Sequence, residues 1–196
     1  MGKDLLGLHR KILGGRKAIL GGTSMGAATS LFAALEDPSS VAGLILANPP
    51  TCYETRQKFI PMYRESLELA RSAGLEEARR ASEQKTRPPI FLETECGRAS
   101  FDIGWETKLE MGLDRYCAAL EGAIESDLPS KDQLRHLKVP TLVLAWKSDA
   151  QHPLESAELL CEALPNAQLV VAESWAQVQD LPRHMRGFLQ TLMEPQ

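Results

Sequence analysis

The stretch from Ala18 to Leu35 limits the fold of this chain more than any other part of the sequence. It starts with a short apolar run, passes through a glycine-containing bend and continues with small and apolar residues suited to a helix packed closely on a sheet. We predict a strand over Ala18–Gly21, a sharp bend over residues 22–26, and a helix that ends near Asp37. A strand followed directly by a helix is the repeating unit of a parallel sheet.

The bend reads Gly-Thr-Ser-Met-Gly and fits the pattern G-x-S-x-G, in which a strained strand-to-helix turn exposes a serine. We expect Gly22 and Gly26 to be required, because Cβ atoms would collide at so tight a turn. Ser24 is then a candidate nucleophile, and the N–H of Met25, at the start of the helix, would face an oxyanion. The alternative is a glycine-rich turn with an incidental serine. The spacing does not match a phosphate loop or a dinucleotide fingerprint.

The remaining apolar runs and helical spacings predict an α/β fold, with a mostly parallel sheet flanked by helices. Further strands are predicted over Val41–Ala47, Val139–Ala145 and Gln168–Ala172, and further helices over Lys3–Leu13, Leu154–Leu164 and Pro182–Met193. Strand signals are lacking between residues 51 and 131, where helical spacing occurs over Gln57–Ala73, Leu75–Lys85 and Trp105–Ile124. We therefore predict a core domain over 1–50 and 132–196, interrupted by a helical lid over 51–131.

Composition narrows the partners and the compartment. A formal net charge of -4 gives no electrostatic reason to expect nucleic acid or an anionic membrane as a partner. The four cysteines form no C-x-x-C pair, which argues against a zinc site or a redox motif and is typical of reduced cytoplasmic proteins. The sequence has neither a signal-peptide pattern nor an apolar window of membrane-spanning length. We expect a cytoplasmic protein that uses no metal and no organic cofactor.

Taken together, these segments resemble the α/β-hydrolase fold family, in particular its lid-bearing esterase and lactonase-like branch. The resemblance is carried by the elbow around Ser24, by Asp37-Pro-x-x-Val-x-Gly-Leu-Ile-Leu, by Val139-Pro-Thr-Leu-Val-Leu-Ala-x-x-x-Asp149, by Leu164-Pro-Asn-Ala-Gln-Leu and by Phe188-Leu189. It implies that Ser24 is the nucleophile and that Asp149 is the acid that orients a histidine, in the chain order Ser, Asp, His. The alternative role for Asp149 is a helix cap ahead of Pro153.

The catalytic histidine departs from the family pattern. The family places this residue in the loop after the last strand, but the segment Glu173–Asp180 contains no histidine, and Trp175 stands about where one belongs. The chain has four histidines, namely His9, His136, His152 and His184. We favour His152 as the base, because it lies three residues after Asp149, beside the edge of the sheet where α/β active sites gather. It could equally support another side chain, contact the substrate, or lie on a surface facing the lid.

The segment before the elbow is a second departure. Complete family members carry several strands and an oxyanion loop there, whereas only residues 1–16 precede the predicted first strand. That strand, at residues 18–21, is expected to leave an apolar edge open for pairing with another chain. Three situations fit: a truncated reading frame, a product that needs a partner chain, or a homodimer. For a soluble chain we expect the homodimer or the partner.

Two functions remain open from the sequence. The first is a serine hydrolase acting on an ester, thioester or lactone of a small apolar acyl compound, with the lid choosing the substrate. The second is a catalytically degenerate relative that acts as a binding or interaction protein, as the missing loop histidine and oxyanion loop suggest. A serine without a base should lose most of its reactivity. The two functions therefore predict different reactivities for Ser24, which can be measured.

Overall fold

The computed structural model describes residues 1–85 and 88–194, which form two compact units. The first unit consists of Met1–Pro50, Leu128–Lys147 and Leu154–Gln196, and the second of Thr51–Asp127 and Ser148–Pro153. The chain begins with helix α1 (Gly2–Leu13), strand β1 (Ala18–Thr23), helix α2 (Met25–Glu36) and strand β2 (Val41–Ala47). The helices of the second unit follow as α3 (Tyr53–Ala73), α4 (Leu75–Lys85), α5 (Glu95–Met111) and α6 (Leu113–Glu125). The chain then continues with α7 (Lys131–Arg135), β3 (Thr141–Trp146), α8 (Leu154–Ala163), β4 (Ala167–Ala172) and α9 (Trp175–Met193).

The four strands form one parallel sheet in the order β1-β2-β3-β4, so the predicted α/β class is confirmed. Leu20 pairs with Leu44, Leu44 pairs with Thr141, and Thr141 pairs with Ala167. Because all four strands run the same way, their carboxyl ends meet at one edge of the sheet, where ligands of α/β proteins bind. Strands β1 and β4 are the outer strands, as predicted for the first strand.

The core of the first unit lies on both faces of this sheet. Helix α9 packs Leu181 and Phe188 against Leu142 and Leu144 on one face. Val143 points to the opposite face and is fully buried, so that face is covered as well. Apolar residues at consecutive positions of β3 are therefore all buried, which is the pattern of a strand covered on both sides.

The last helix starts earlier than the sequence indicates. We expected it to begin at Pro182, with the proline in its first turn, but α9 begins at Trp175 and has Pro182 in its interior. The hydroxyl of Ser174 caps this helix by accepting a hydrogen bond from the N–H of Gln177. Tertiary packing of the preceding turns evidently outweighs the hydrogen bond that an internal proline cannot donate. His184 therefore lies well inside this helix.

In its described residues, the second unit has helices as its regular structure, and it has a core of its own. Buried side chains at Leu67, Ala70, Ala78, Trp105, Tyr116 and Cys117 form this core. The single helix predicted over Trp105–Ile124 is wrong, because Gly112 has a φ of 83° and separates α5 from α6. Such a positive φ favours glycine and ends a helix at this position.

Candidate active site

Strand β1 leads into α2 through a bend at Ser24 whose backbone geometry is unusual. Ser24 has φ 53° and ψ -112°, a conformation that residues with a Cβ atom seldom adopt. Its N–H donates hydrogen bonds to the carbonyl oxygens of Ala47 and Asn48, each at 3.1 Å. The bend is therefore held against the end of the neighbouring strand β2. Strained residues of this kind cluster at active sites, where the surrounding structure maintains them.

The two glycines that flank Ser24 have different roles. A Cβ atom on Gly22 would lie 2.8 Å from the backbone of Gly26, so only a glycine at position 22 allows this close approach. A Cβ atom on Gly26 would meet nothing within 4 Å. Our expectation that both glycines are required by crowding is therefore wrong for Gly26. The special dihedral angles at the bend belong to Ser24 itself, since neither glycine has a positive φ.

Helix α2 begins directly at the bend, with Ser24 as its N-cap and Met25 as its first residue. The carbonyl of Ser24 accepts the first helical hydrogen bond, from the N–H of Ala28. The N–H groups in the first turn of a helix have no partner within the helix and carry partial positive charge. The side chain of Met25 is about half exposed, at 52%.

Asp149 and His152 are in direct contact in the loop that follows β3. Nδ1 of His152 lies 3.0 Å from Oδ2 of Asp149, while Oδ1 accepts hydrogen bonds from the backbone N–H groups of Gln151 and His152. Both side chains are largely buried. The carboxylate thus orders this loop and also holds the imidazole at Nδ1. The loop belongs to the second unit, and Ser24 belongs to the first.

The pKa of Asp149 is lower than that of an ordinary aspartate. Burial raises the pKa, but the hydrogen bond and charge of His152, together with the backbone N–H groups of Gln151 and His152, lower it by more. Asp149 is therefore an anion at neutral pH, as an orienting acid must be.

The other three histidines have contacts that do not involve Asp149. His9 is buried on α1 and its Nε2 lies 2.7 Å from the carbonyl oxygen of Arg16. His136 is exposed, with Nδ1 2.7 Å from the carbonyl oxygen of Asp132. His184 lies within α9, 3.8 Å from Asp180.

Trp175 occupies a helical position rather than the long loop that the sequence suggests. Only Glu173 and Ser174 connect β4 to α9, and Trp175 is the first residue of the helix. Its side chain is buried. The connection contains no histidine, and the position after it is a buried helix start.

Two backbone features near the strand ends were missed by the sequence analysis. Asn48 follows β2 with φ 39°, and Ser148 lies two residues after β3 with φ 61°. Together with Ser24, a positive φ at a residue other than glycine thus occurs just after three parallel strands. Asparagine tolerates a positive φ better than most residues. An Asn-Pro-Pro sequence directly after a buried strand is therefore the one sequence signal that could have indicated the backbone geometry at Asn48.

The part of the chain that the structure describes contains no group of three or more metal-ligating side chains. Within residues 1–85 and 88–194, no helix combines the length and the apolarity needed to cross a bilayer.

A family model described as alpha/beta hydrolase fold matches residues 1–177. The chain belongs to the alpha/beta hydrolase fold family. This assignment agrees with the resemblance seen in the sequence and with the strained serine between β1 and α2.

Solved structures of other alpha/beta hydrolases share this fold. A thermophilic esterase from Thermogutta terrifontis, with malate bound, superposes with a TM-score of 0.81 at 24% identity, covering 98% of this chain and 72% of the esterase. An enol-lactonase from Burkholderia xenovorans gives a TM-score of 0.77 at 18% identity, with 96% and 71% covered. An alpha/beta hydrolase from a Medee basin deep-sea metagenome gives 0.72 at 20% identity, with 98% and 70% covered. No curated protein matches the sequence.

Proposed function

We propose that this alpha/beta hydrolase is a serine hydrolase that cleaves a small ester, thioester or lactone, with Ser24 as the nucleophile. The observation that carries the proposal is the backbone conformation of Ser24 at a strand-to-helix bend, with φ 53° and ψ -112°. Such a conformation is strained and persists only where the surrounding structure maintains it. An incidental serine in a loop would relax to an ordinary conformation. The likeness to an esterase and an enol-lactonase supports acyl compounds as the substrate class.

In the proposed reaction, Oγ of Ser24 attacks the carbonyl carbon while its proton passes to the base. The carbonyl oxygen becomes an oxyanion, for which the N–H of Met25 at the positive end of α2 is the proposed donor. Collapse of the tetrahedral intermediate breaks the bond to the alcohol or thiol, which takes up the proton held by the base. Water then repeats the sequence on the acyl-serine and releases the acid.

His152 is the proposed base and Asp149 the acid that orients it. Because Nδ1 of His152 faces the carboxylate of Asp149, the proton from Ser24 would pass to Nε2. The lowered pKa of Asp149 supports this role, since an anionic carboxylate stabilises the imidazolium that forms. The helical segment over residues 51–131 is proposed to act as the lid that selects the substrate.

A second candidate function is favoured by Trp175. The family histidine is expected after the last strand, and a buried tryptophan begins α9 at that point. A chain that has lost the base could retain the fold as a binding or interaction protein. The two functions differ in whether Ser24 is chemically activated.

A fluorophosphonate probe distinguishes the two functions. Labelling that disappears in Ser24→Ala and persists in Ser39→Ala, which alters an exposed serine, would support the hydrolase. Absence of labelling in a folded sample would contradict it and favour the binding function. His152→Ala should abolish labelling, whereas His184→Ala should leave it intact. Unchanged labelling of His152→Ala would remove this residue from the mechanism.

A further inference from the structure

Helix α2 is apolar on its outer side as well as on its buried side. The residues that it buries are Ala27, Ser30, Leu31, Ala33 and Ala34. Met25 and Phe32 lie on the outer side, with exposed fractions of 52% and 44%, and no charged residue occurs in the helix before Glu36. A surface helix usually carries charged or polar side chains on the side away from the core. The outer side of α2 therefore has a composition that the core of this unit does not require.

Met25, Thr29 and Phe32 form one row along this outer side, which we call the α2 face. Their spacing of four and three residues places them on the same side of the helix. The hydroxyl of Thr29 donates to the carbonyl oxygen of Met25, 2.9 Å away, so its hydrogen bond stays within the helix. Sδ of Met1 lies 3.9 Å from the same hydroxyl, and a second thioether thus borders the row. At about 1.5 Å per residue, the row is about 10 Å long.

The α2 face begins next to the candidate nucleophile. Met25 follows Ser24 directly, and the whole helix belongs to the first unit together with Ser24. An acyl group attached to Oγ of Ser24 therefore starts beside one end of the row. At the other end, beyond Phe32, Nζ of Lys3 lies 3.9 Å from Oε1 of Glu36. The row thus runs from the proposed reacting atom to a charged boundary.

The size of the α2 face suits an aliphatic chain better than a protein partner. A stable protein–protein interface covers about 800 Å² on each partner and involves about 20–30 residues on each side. The α2 face is a single row of three side chains. A flexible thioether and an aromatic ring are suitable contacts for methylene groups. An extended chain advances a little over 1 Å per bond, so about 10 Å corresponds to about eight carbons.

We propose that the α2 face binds the acyl chain of the substrate, and that the substrate is an ester or thioester of an unbranched aliphatic acid of about eight carbons. The substrate class rests on the proposed hydrolase function, whereas the binding of an aliphatic chain by Met25 and Phe32 does not. The proposal narrows the small apolar acyl group expected from the sequence to a chain of medium length, which is recognised within the first unit.

The first test measures binding without catalysis. Ser24→Ala protein with isotope-labelled methionine methyl groups is titrated with octanoate and, separately, with butyrate, and the Met25 signal is identified by its loss in Met25→Leu. We expect octanoate to shift this signal in a saturable way, and butyrate to bind at least about tenfold more weakly. Met193, an exposed methionine of the same unit outside the α2 face, is the internal control. No shift at Met25, or an equal shift at Met193, would overturn the proposal.

A pair of variants then tests the far end of the row. Phe32→Ala removes the aromatic ring, and Leu8→Ala removes an exposed apolar side chain of α1 in the same unit. In the Ser24→Ala background, octanoate should bind Phe32→Ala at least about tenfold more weakly and Leu8→Ala with unchanged affinity. Equal affinities would overturn the proposal. If Phe32→Ala does not fold, the titration of Met25, which leaves Phe32 in place, decides the matter.

The second test compares p-nitrophenyl octanoate with p-nitrophenyl butyrate as substrates. We expect the ratio of their kcat/KM values to favour the octanoate ester and to fall by about tenfold or more in Phe32→Ala, but not in Leu8→Ala. A ratio that Phe32→Ala leaves unchanged would overturn the substrate class, as would hydrolysis of neither ester by a protein that the fluorophosphonate labels. Absence of both hydrolysis and labelling would count against the hydrolase function, and the titration of Met25 would still decide whether the α2 face binds an aliphatic chain.

Discussion

The imidazole of His152 lies against the carboxylate of Asp149, with 3.0 Å between Nδ1 and Oδ2. Two backbone N–H groups from the same loop, those of Gln151 and His152, satisfy the other carboxylate oxygen. The arrangement is compact in sequence, because all of these groups come from residues 149–152. It gives the loop after β3 an ordered anion and a histidine of defined orientation.

The first prediction concerns the pH dependence of stability. The pKa of Asp149 is lower in the folded protein than its ordinary value, so the stabilisation is complete above the unfolded pKa of about 4 and is lost as the pH falls through the folded pKa. Asp149→Asn should lower the free energy of unfolding by about 1.5–3 kcal/mol at neutral pH and flatten its decline in acid. Urea unfolding across the acid range measures both. Asp132→Asn, at an exposed carboxylate, is the control, and parallel curves for Asp149→Asn and the wild type would contradict the prediction.

The second prediction concerns the strain at Ser24. Ser24→Gly and Ser24→Ala both remove the hydroxyl and should both abolish fluorophosphonate labelling. Because only glycine adopts φ 53° and ψ -112° without strain, Ser24→Gly should be more stable than Ser24→Ala by about 1–2 kcal/mol. Chemical denaturation of the two variants measures the difference. Equal stabilities would mean that the bend relaxes and that its geometry is not enforced.

The third prediction separates the two glycines of the bend. Gly22→Ala places a methyl group 2.8 Å from the backbone of Gly26 and should destabilise the protein by about 1–3 kcal/mol. Gly26→Ala meets nothing within 4 Å and should change the free energy of unfolding by less than about 0.5 kcal/mol. Urea midpoints of the pair provide the comparison. The reverse order of stability would show that the crowding argument is wrong.

The fourth prediction concerns the contact between Tyr53 and Asp127 in the helical unit. Tyr53, at the start of α3 with φ 51°, donates its N–H to both carboxylate oxygens of Asp127, at 3.1 and 3.0 Å. Asp127→Ala should cost about 1–3 kcal/mol and speed hydrogen exchange of the Tyr53 amide. Glu106→Ala, at an exposed carboxylate of α5, is the control. Unchanged hydrogen exchange at the Tyr53 amide would show that this contact does not hold the two ends of the segment Thr51–Asp127 together.

The fifth prediction concerns the outer strand β1, which pairs with β2 and, within residues 1–85 and 88–194, with no other strand. If that edge pairs with a second copy or with a partner chain, Ile19→Lys should weaken the association, because edge lysines oppose strand pairing. Sedimentation velocity of the wild type is expected to show a species larger than the monomer, reduced by Ile19→Lys but not by Ile12→Lys on α1. A wild-type protein that stays monomeric would count against pairing between copies.

Much of the first unit could be predicted from local patterns. Each of the four apolar runs that predict a strand does form one, and the order of strands and helices along the chain was enough to predict a parallel sheet. The errors lie where a local signal was ambiguous. Pro182 is an expected helix start, yet Ser174 caps α9 eight positions before it. Gly112 breaks a stretch whose spacing suits one continuous helix.

The sequence by itself determined the α/β class, the family and the candidate residues Ser24, Asp149 and His152, because each depends on residue type and spacing along the chain. Only the tertiary structure decided the strain at Ser24 and the difference between Gly22 and Gly26. These properties depend on which backbone and side-chain atoms approach one another from distant positions, and on how much water they exclude. Periodicity carries no information about either quantity.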